Sequence, residues 1–158
     1  MDKNSVLYSR LASLYPLGSS PVAPGTVATL LAGIPCFLLV GHFSWQIQAA
    51  LAFALLFAGS FVCREAERQL GITDPQQVVL DELCGYLFAM VGHPIGFLSI
   101  FTGALLFRVF DIWKPWPIRL VEKKLTGGIA IMLDDVVAGI FANILGLIIL
   151  KLAGLGYK

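Results

Sequence analysis

The chain has 158 residues, a length for one domain. Hydrophobic residues make up 58% and charged residues 13%, with a mean hydropathy of +0.83, which excludes an ordinary soluble domain and excludes disorder. A net charge of +1 gives no general field to attract nucleic acid, and Cys36, Cys63 and Cys84 form no CxxC pair and no disulfide framework.

The N-terminus opens polar, with no signal peptide in view. Val6, Leu7, Leu11 and Leu14 then recur at helical spacing with Lys3 and Arg10 among them, the pattern of a helix lying at a membrane surface. A loop from Ser19 to Thr26 follows, with Thr26 expected as an N-cap whose free N–H groups attract anions. Val27 to Val40 and Trp45 to Cys63 are apolar runs joined by Gly41-His42-Phe43-Ser44, a first helical hairpin. Arg64, Glu65, Glu67 and Arg68 mark the return to water.

Leu83 to Phe107 is also apolar, but Gly92-His93-Pro94 breaks it in the middle. Asp74 as N-cap, Pro75 at the first helical position and Gln77 in a capping box predict a helix from Pro75 to about Val91. A second runs from about Ile95 to Trp113, completing a second hairpin. Lys114-Pro115-Trp116-Pro117 stops it, with Trp116 suited to an interfacial belt. Val136 to Leu155 crosses once more. The expected architecture is all-α: a polytopic integral membrane bundle of two hairpins plus a final span. Its parts are an interfacial segment and loop (1–26), hairpins at 27–63 and 75–113, a cytoplasmic loop (114–133) and the last span (134–155).

Charge supports that topology over a single crossing at 83–107. Two hairpins place Lys3, Arg10, Arg64, Arg68, Arg108, Lys114, Arg119, Lys123 and Lys124 on one side, against Lys151 and Lys158 on the other. A single crossing would split the same residues six against five, and cytoplasmic loops carry the excess of Lys and Arg.

Five acids lie in solvated sequence: Asp2, Glu65, Glu67, Asp74 and Glu122. The other five, Asp81, Glu82, Asp111, Asp134 and Asp135, are embedded in apolar sequence. The two-hairpin topology puts all five at the cytoplasmic membrane edge, near the ends of three helices, where they can converge. Two carboxylates 4 Å apart repel by about 4 kcal/mol at an effective dielectric near 20, so such a cluster needs cations or protons. Oxygen ligands at this density suit Mg²⁺. Ion pairing along one helix face explains Asp111, which has Arg108 and Lys114 three residues away on either side. It explains the acidic pairs poorly, because no base lies within four residues of either.

Other phosphate chemistries find no residues. No cysteine has an arginine six positions on, His42 and His93 lie in turns on the far side, and no GxxxxGK[ST] loop exists. A membrane carrier or channel for a divalent cation is the alternative reading; it calls for acids near mid-membrane and a path open to both faces.

Four motifs in order, Ser20-Pro21-Val22-Ala23-Pro24-Gly25-Thr26, Asp81-Glu82 with Gly85, Arg108 to Ile118, and Gly127 to Gly139, together resemble the phosphatidylglycerophosphatase A family. The resemblance covers about Gly18 to Asn143. It implies a Mg²⁺-dependent enzyme of the bacterial inner membrane, its site facing the cytoplasm. Such an enzyme removes the terminal phosphate of phosphatidylglycerophosphate in phospholipid biosynthesis. On that reading Asp81, Glu82, Asp134 and Asp135 hold the metal, and Asp111 is a ligand or base. Arg108, Lys114 and Thr26 bind the phosphate. The partners are the phospholipid substrate and membrane lipids; nothing in the sequence points to a protein partner.

Overall fold

The computed structural model describes residues 3–73, 75–116, 118–119 and 127–155. Asp74 as N-cap, Pro117, Glu122, Lys123 and Lys124 lie outside the described residues. The described residues are helical, with no strand among them. They form α1 (Lys3–Ala12), α2 (Pro24–Val40), α3 (Trp45–Leu70), α4 (Leu80–Met90), α5 (Phe97–Trp113) and α6 (Gly128–Leu152).

α2 starts at Pro24, not Val27, and contains a π-helical turn at Thr29–Gly33. Pro35 explains the turn: it lacks an N–H and its ring crowds the carbonyl four residues back, and a π-bulge relieves both. Thr26 is therefore the third residue of α2, and Ala23 stands at the N-cap. The helix reaches back past Thr26 because Pro24 has its φ already set for a first turn.

α3 runs seven residues past Cys63, to Leu70, and Gly71 at φ +65° ends it. Gln48, Ala52, Leu56, Gly59, Cys63 and Ala66 make its buried stripe. Phe53, Phe57 and Phe61 point outward. Elsewhere Ala89, Ala138 and Ala142 are fully buried beside larger residues such as Phe37, Tyr86 and Phe107, while Leu39, Ile112 and Leu152 are at least 74% exposed. Small residues at helix contacts, with large apolar residues also facing outward, are what helix packing in lipid produces. α3 and α6 are long and apolar enough to cross a membrane, consistent with a membrane protein.

α4 begins at Leu80, five residues later than Pro75. The segment before it is a turn, with the Val78 N–H donating to the Pro75 carbonyl at 2.8 Å. The Val79 N–H goes to the Ala12 carbonyl at 2.9 Å, so the C-terminus of α1 takes the place of a preceding helical turn. At 11 residues α4 is about 16 Å long, too short to cross a hydrocarbon core of about 30 Å. Nine of its residues are buried, which makes it the central post of the bundle.

The chain breaks between α4 and α5 at the expected place, with Gly92 at φ +72°. Buried Gln48 ties this break to the α2–α3 turn. Its Nε2 donates to the Phe43 carbonyl at 2.8 Å, and its Oε1 accepts the Gly92 N–H at 2.9 Å. Asn143 of α6 donates to the Ala89 and Val91 carbonyls at 3.0 and 2.7 Å. These bonds satisfy backbone groups that a short buried helix would otherwise strand.

α6 begins at Gly128, so Asp134 and Asp135 sit in its second turn rather than at its start. It packs along α4, α3 and α5.

Candidate active site

Asp81 and Glu82 occupy the first turn of α4, Asp111 the last turns of α5, and Asp134 and Asp135 the second turn of α6. Glycines bring these helices together. Gly85 stands four residues after Asp81, and Gly139 four after Asp135, one helical turn along the same face. A Cβ on Gly85 would lie 2.7 Å from the Asp135 carbonyl oxygen, and one on Gly139 would collide with the Gly85 carbonyl. At the start of α2, a Cβ on Gly25 would collide with the Glu82 carboxylate. The motif glycines are thus the space that lets the acids meet.

All eight residues singled out in the sequence line one cavity of about 450 Å³, together with Pro24, Gly25, Gln76 and Ile112. Two bases answer the acids from α5. The Arg108 guanidinium grips Glu82 through both terminal nitrogens and reaches Asp111 at 2.9 Å. Lys114 closes α5 in the left-handed conformation at φ +43°, and its Nζ donates to Asp134 Oδ2 at 2.6 Å. The expectation that ion pairing leaves the acidic pairs unexplained is corrected here. Each pair receives a base across the helix interface, which no count along one helix could show.

Five carboxylates against two cations still leave acids in excess among the cavity's described residues. Asp135 is the extreme case: it is 4% exposed and its Oδ2 has no hydrogen-bond partner. A carboxylate held that way among other carboxylates costs several kcal/mol. Among the described lining residues the acidic donors are carboxylates, with no thiol or imidazole, a set suited to a hard cation. No three Asp, Glu, His or Cys side chains among the described residues close around a single point. Glu82 and Asp134 turn instead to Arg108 and Lys114.

His42 and His93 lie in the turns at the other end of the bundle. His93 is buried, with Nδ1 3.2 Å from the Ser99 hydroxyl. The three cysteines are free thiols. Sequence reasoning missed the positioning part of Gly25, Gly85 and Gly139; the i, i+4 spacing of acid and glycine on α4 and α6 was the available signal.

A family model described as phosphatidylglycerophosphatase A matches residues 10–150. The chain is 33% identical to phosphatidylglycerophosphatase A of Escherichia coli (strain K12), over 84% of this chain and 77% of the relative. It is 36% identical to the protein of that name in Haemophilus influenzae, over 77% and 76%. It is 35% identical to a putative phosphatidylinositol-3-phosphatase of Bacteroides thetaiotaomicron, over 92% and 94%. No solved structure matches the chain. Motifs, glycine spacing and kinship agree, and the chain belongs to the phosphatidylglycerophosphatase A family.

Proposed function

We propose that this chain is a phosphoric monoester hydrolase that converts phosphatidylglycerophosphate to phosphatidylglycerol and inorganic phosphate. The observation that carries the reading is the single cavity that gathers five carboxylates, Arg108, Lys114 and Thr26 from four helices and their ends. Its site faces the cytoplasm at the inner-membrane edge of a multi-pass bundle. The excess of Lys and Arg on the site's side supports that orientation. α4 and α5 form a hairpin whose turn buries His93 and leaves Ile95, Phe97 and Leu98 exposed.

Arg108 and Lys114 neutralise the phosphomonoester from their places against Glu82, Asp111 and Asp134. The Thr26 hydroxyl and the amides opening α2 complete the cradle. Magnesium is the proposed cofactor. The hard donor set and the unpartnered Asp135 Oδ2 support it, with Asp81, Glu82, Asp134 and Asp135 as its holders. When bound, it neutralises phosphate oxygens and lowers the pKa of a water. Asp111 is placed to serve as a further ligand or to accept the proton of the attacking water. In-line attack forms the water oxygen–phosphorus bond and breaks the bond to the glycerol oxygen, which takes up a proton. The acyl chains remain in the bilayer beside the bundle.

A cation carrier would need a polar path through the opposite end. That end is closed by Gln48, Asn143 and His93, which are engaged with backbone and Ser99. The Bacteroides relative's name attaches a different lipid headgroup to the same class of activity. The test is phosphate release by purified protein from defined phosphatidylglycerophosphate, with and without Mg²⁺. No release under either condition overturns the reading.

A further inference from the structure

Most of the acidic cavity's described lining is charged or polar. Its apolar side chains, apart from two prolines, are Ala23, Val78 and Ile112. Val78 is buried and Ala23 is a single methyl, whereas Ile112 is large and 78% exposed. Ile112 therefore borders the cavity and the outside of the bundle at once. Other outward-facing apolar residues do not. Phe53, Phe57 and Phe61 on α3, and Leu30 and Leu31 on α2, are exposed, but none of them lines this cavity.

Ile112 also ends a stripe. Leu98, Phe101, Leu105, Val109 and Ile112 follow at intervals of three and four along α5, so they share one face. The first four are between 44% and 54% exposed. The face carries no charge, because the two charged side chains of α5, Arg108 and Asp111, line the cavity instead. From Phe101 to Ile112 the helix rises about 16 Å at 1.5 Å per residue. That is close to one leaflet, half of a hydrocarbon core of about 30 Å. Just past Ile112 stand Trp113 and Trp116, both exposed, and tryptophans at the end of an apolar helix belong at headgroup depth. The stripe ends at the level where lipid phosphates lie, and the cavity begins there.

We propose that the lipid substrate enters this cavity sideways from the bilayer across Ile112, with one acyl chain lying along the α5 stripe. The proposal rests on the hydrolysis reading above. A lipid phosphomonoester joins a charged head to long apolar chains, and α5 makes the same change of character within about one turn. Val109 and Ile112 are on the apolar face, and Asp111 and Lys114 line the cavity. The head turns into the cavity while the chain keeps to the stripe, so neither leaves its own medium. Chain contact adds affinity in proportion to the apolar area it covers. Ile112 and the stripe thereby favour long-chain lipids over water-soluble monoesters that offer the same reacting phosphate.

The experiment uses the full-length protein in detergent micelles and has two arms. The first photolabels wild type, in EDTA, with phosphatidylglycerophosphate that carries a diazirine midway along one acyl chain. Label is expected on the peptide holding Phe101, Leu105 and Val109. Excess unlabelled phosphatidylglycerophosphate removes it and phosphatidylcholine does not. The second arm measures phosphate release with Mg²⁺ by wild type, Ile112→Asn and Ile112→Leu, from a dipalmitoyl substrate and from its dibutanoyl analogue, which is monomeric in water. Ile112→Asn lowers kcat/KM for the dipalmitoyl lipid about fivefold more than for the analogue, chiefly through KM, and Ile112→Leu recovers most of the loss. Competed label on another helix, label that phosphatidylcholine removes equally well, or an equal effect on both substrates overturns the proposal. So does disulfide crosslinking of two chains through Leu105→Cys in a cysteine-free background, which puts a second copy on the stripe. Wild type that releases no phosphate from either substrate overturns the hydrolysis reading instead, and the labelling arm still decides the path.

Discussion

Gly85 and Gly139 meet backbone to backbone, and a Cβ on either would strike the other helix. This contact sets how far apart Asp81 and Asp135 stand, because each acid lies one turn up from its glycine. Gly139→Ala forces α4 and α6 apart and costs about 1–3 kcal/mol as overpacking. Phosphate release is expected to fall more than tenfold, with a lowered Tm. An alanine variant with full turnover refutes the idea that this spacing sets the site.

Asp135 is buried among like charges, so Asp135→Asn should separate stability from activity. The neutral side chain removes a desolvated charge and raises Tm, while turnover is lost. Asp81→Asn and Asp134→Asn lose turnover too. Glu65→Gln, on the last turns of α3 beside Arg68 and outside the acidic cavity, keeps it. Near-full activity in any two of the three Asn variants contradicts a shared acidic site.

Metal dependence has a readout besides turnover. Addition of Mg²⁺ at about 100 times its Kd stabilises a protein that binds only when folded by about 2.7 kcal/mol. Wild type should gain Tm with Mg²⁺ and lose the gain in EDTA, and Asp135→Asn should show neither shift. Equal shifts in both proteins place the ion elsewhere.

Arg108→Lys keeps a charge but loses the planar fork that now spans Glu82 and Asp111. Its effect should fall on KM. Arg108→Ala should be worse and also less stable, since Glu82 loses its partner at a cost of about 3–5 kcal/mol. Kinetics that are silent for Lys and impaired for Ala reduce Arg108 to a point charge.

Topology is open to labelling. Single cysteines at Gln77 and Arg119 in a cysteine-free background should react with a membrane-impermeant thiol reagent only from the cytoplasmic side. Reaction of position 119 from outside splits the acids across the membrane and removes the proposed mechanism.

The break at Gly92-His93-Pro94 and the set of acids were legible because breakers and charges stand out in apolar sequence. The start of α4 was not. Pro75 and Gln77 carry helix-start chemistry, but the Val79 N–H is taken by Ala12, a partner 67 residues away that no local pattern can announce. The same applies to Lys114 and Asp134, 20 residues apart and joined only once α5 and α6 pack. Thr26 reads as a cap because threonine commonly is one; Pro24 started the helix before it.

Gln48 also couples two turns that lie 44 residues apart in the chain. Its Nε2 holds the α2–α3 turn through Phe43, and its Oε1 holds the α4–α5 break through Gly92. A carboxylate in its place keeps the acceptor and loses the donor, so Gln48→Glu would release the first turn and leave the second held.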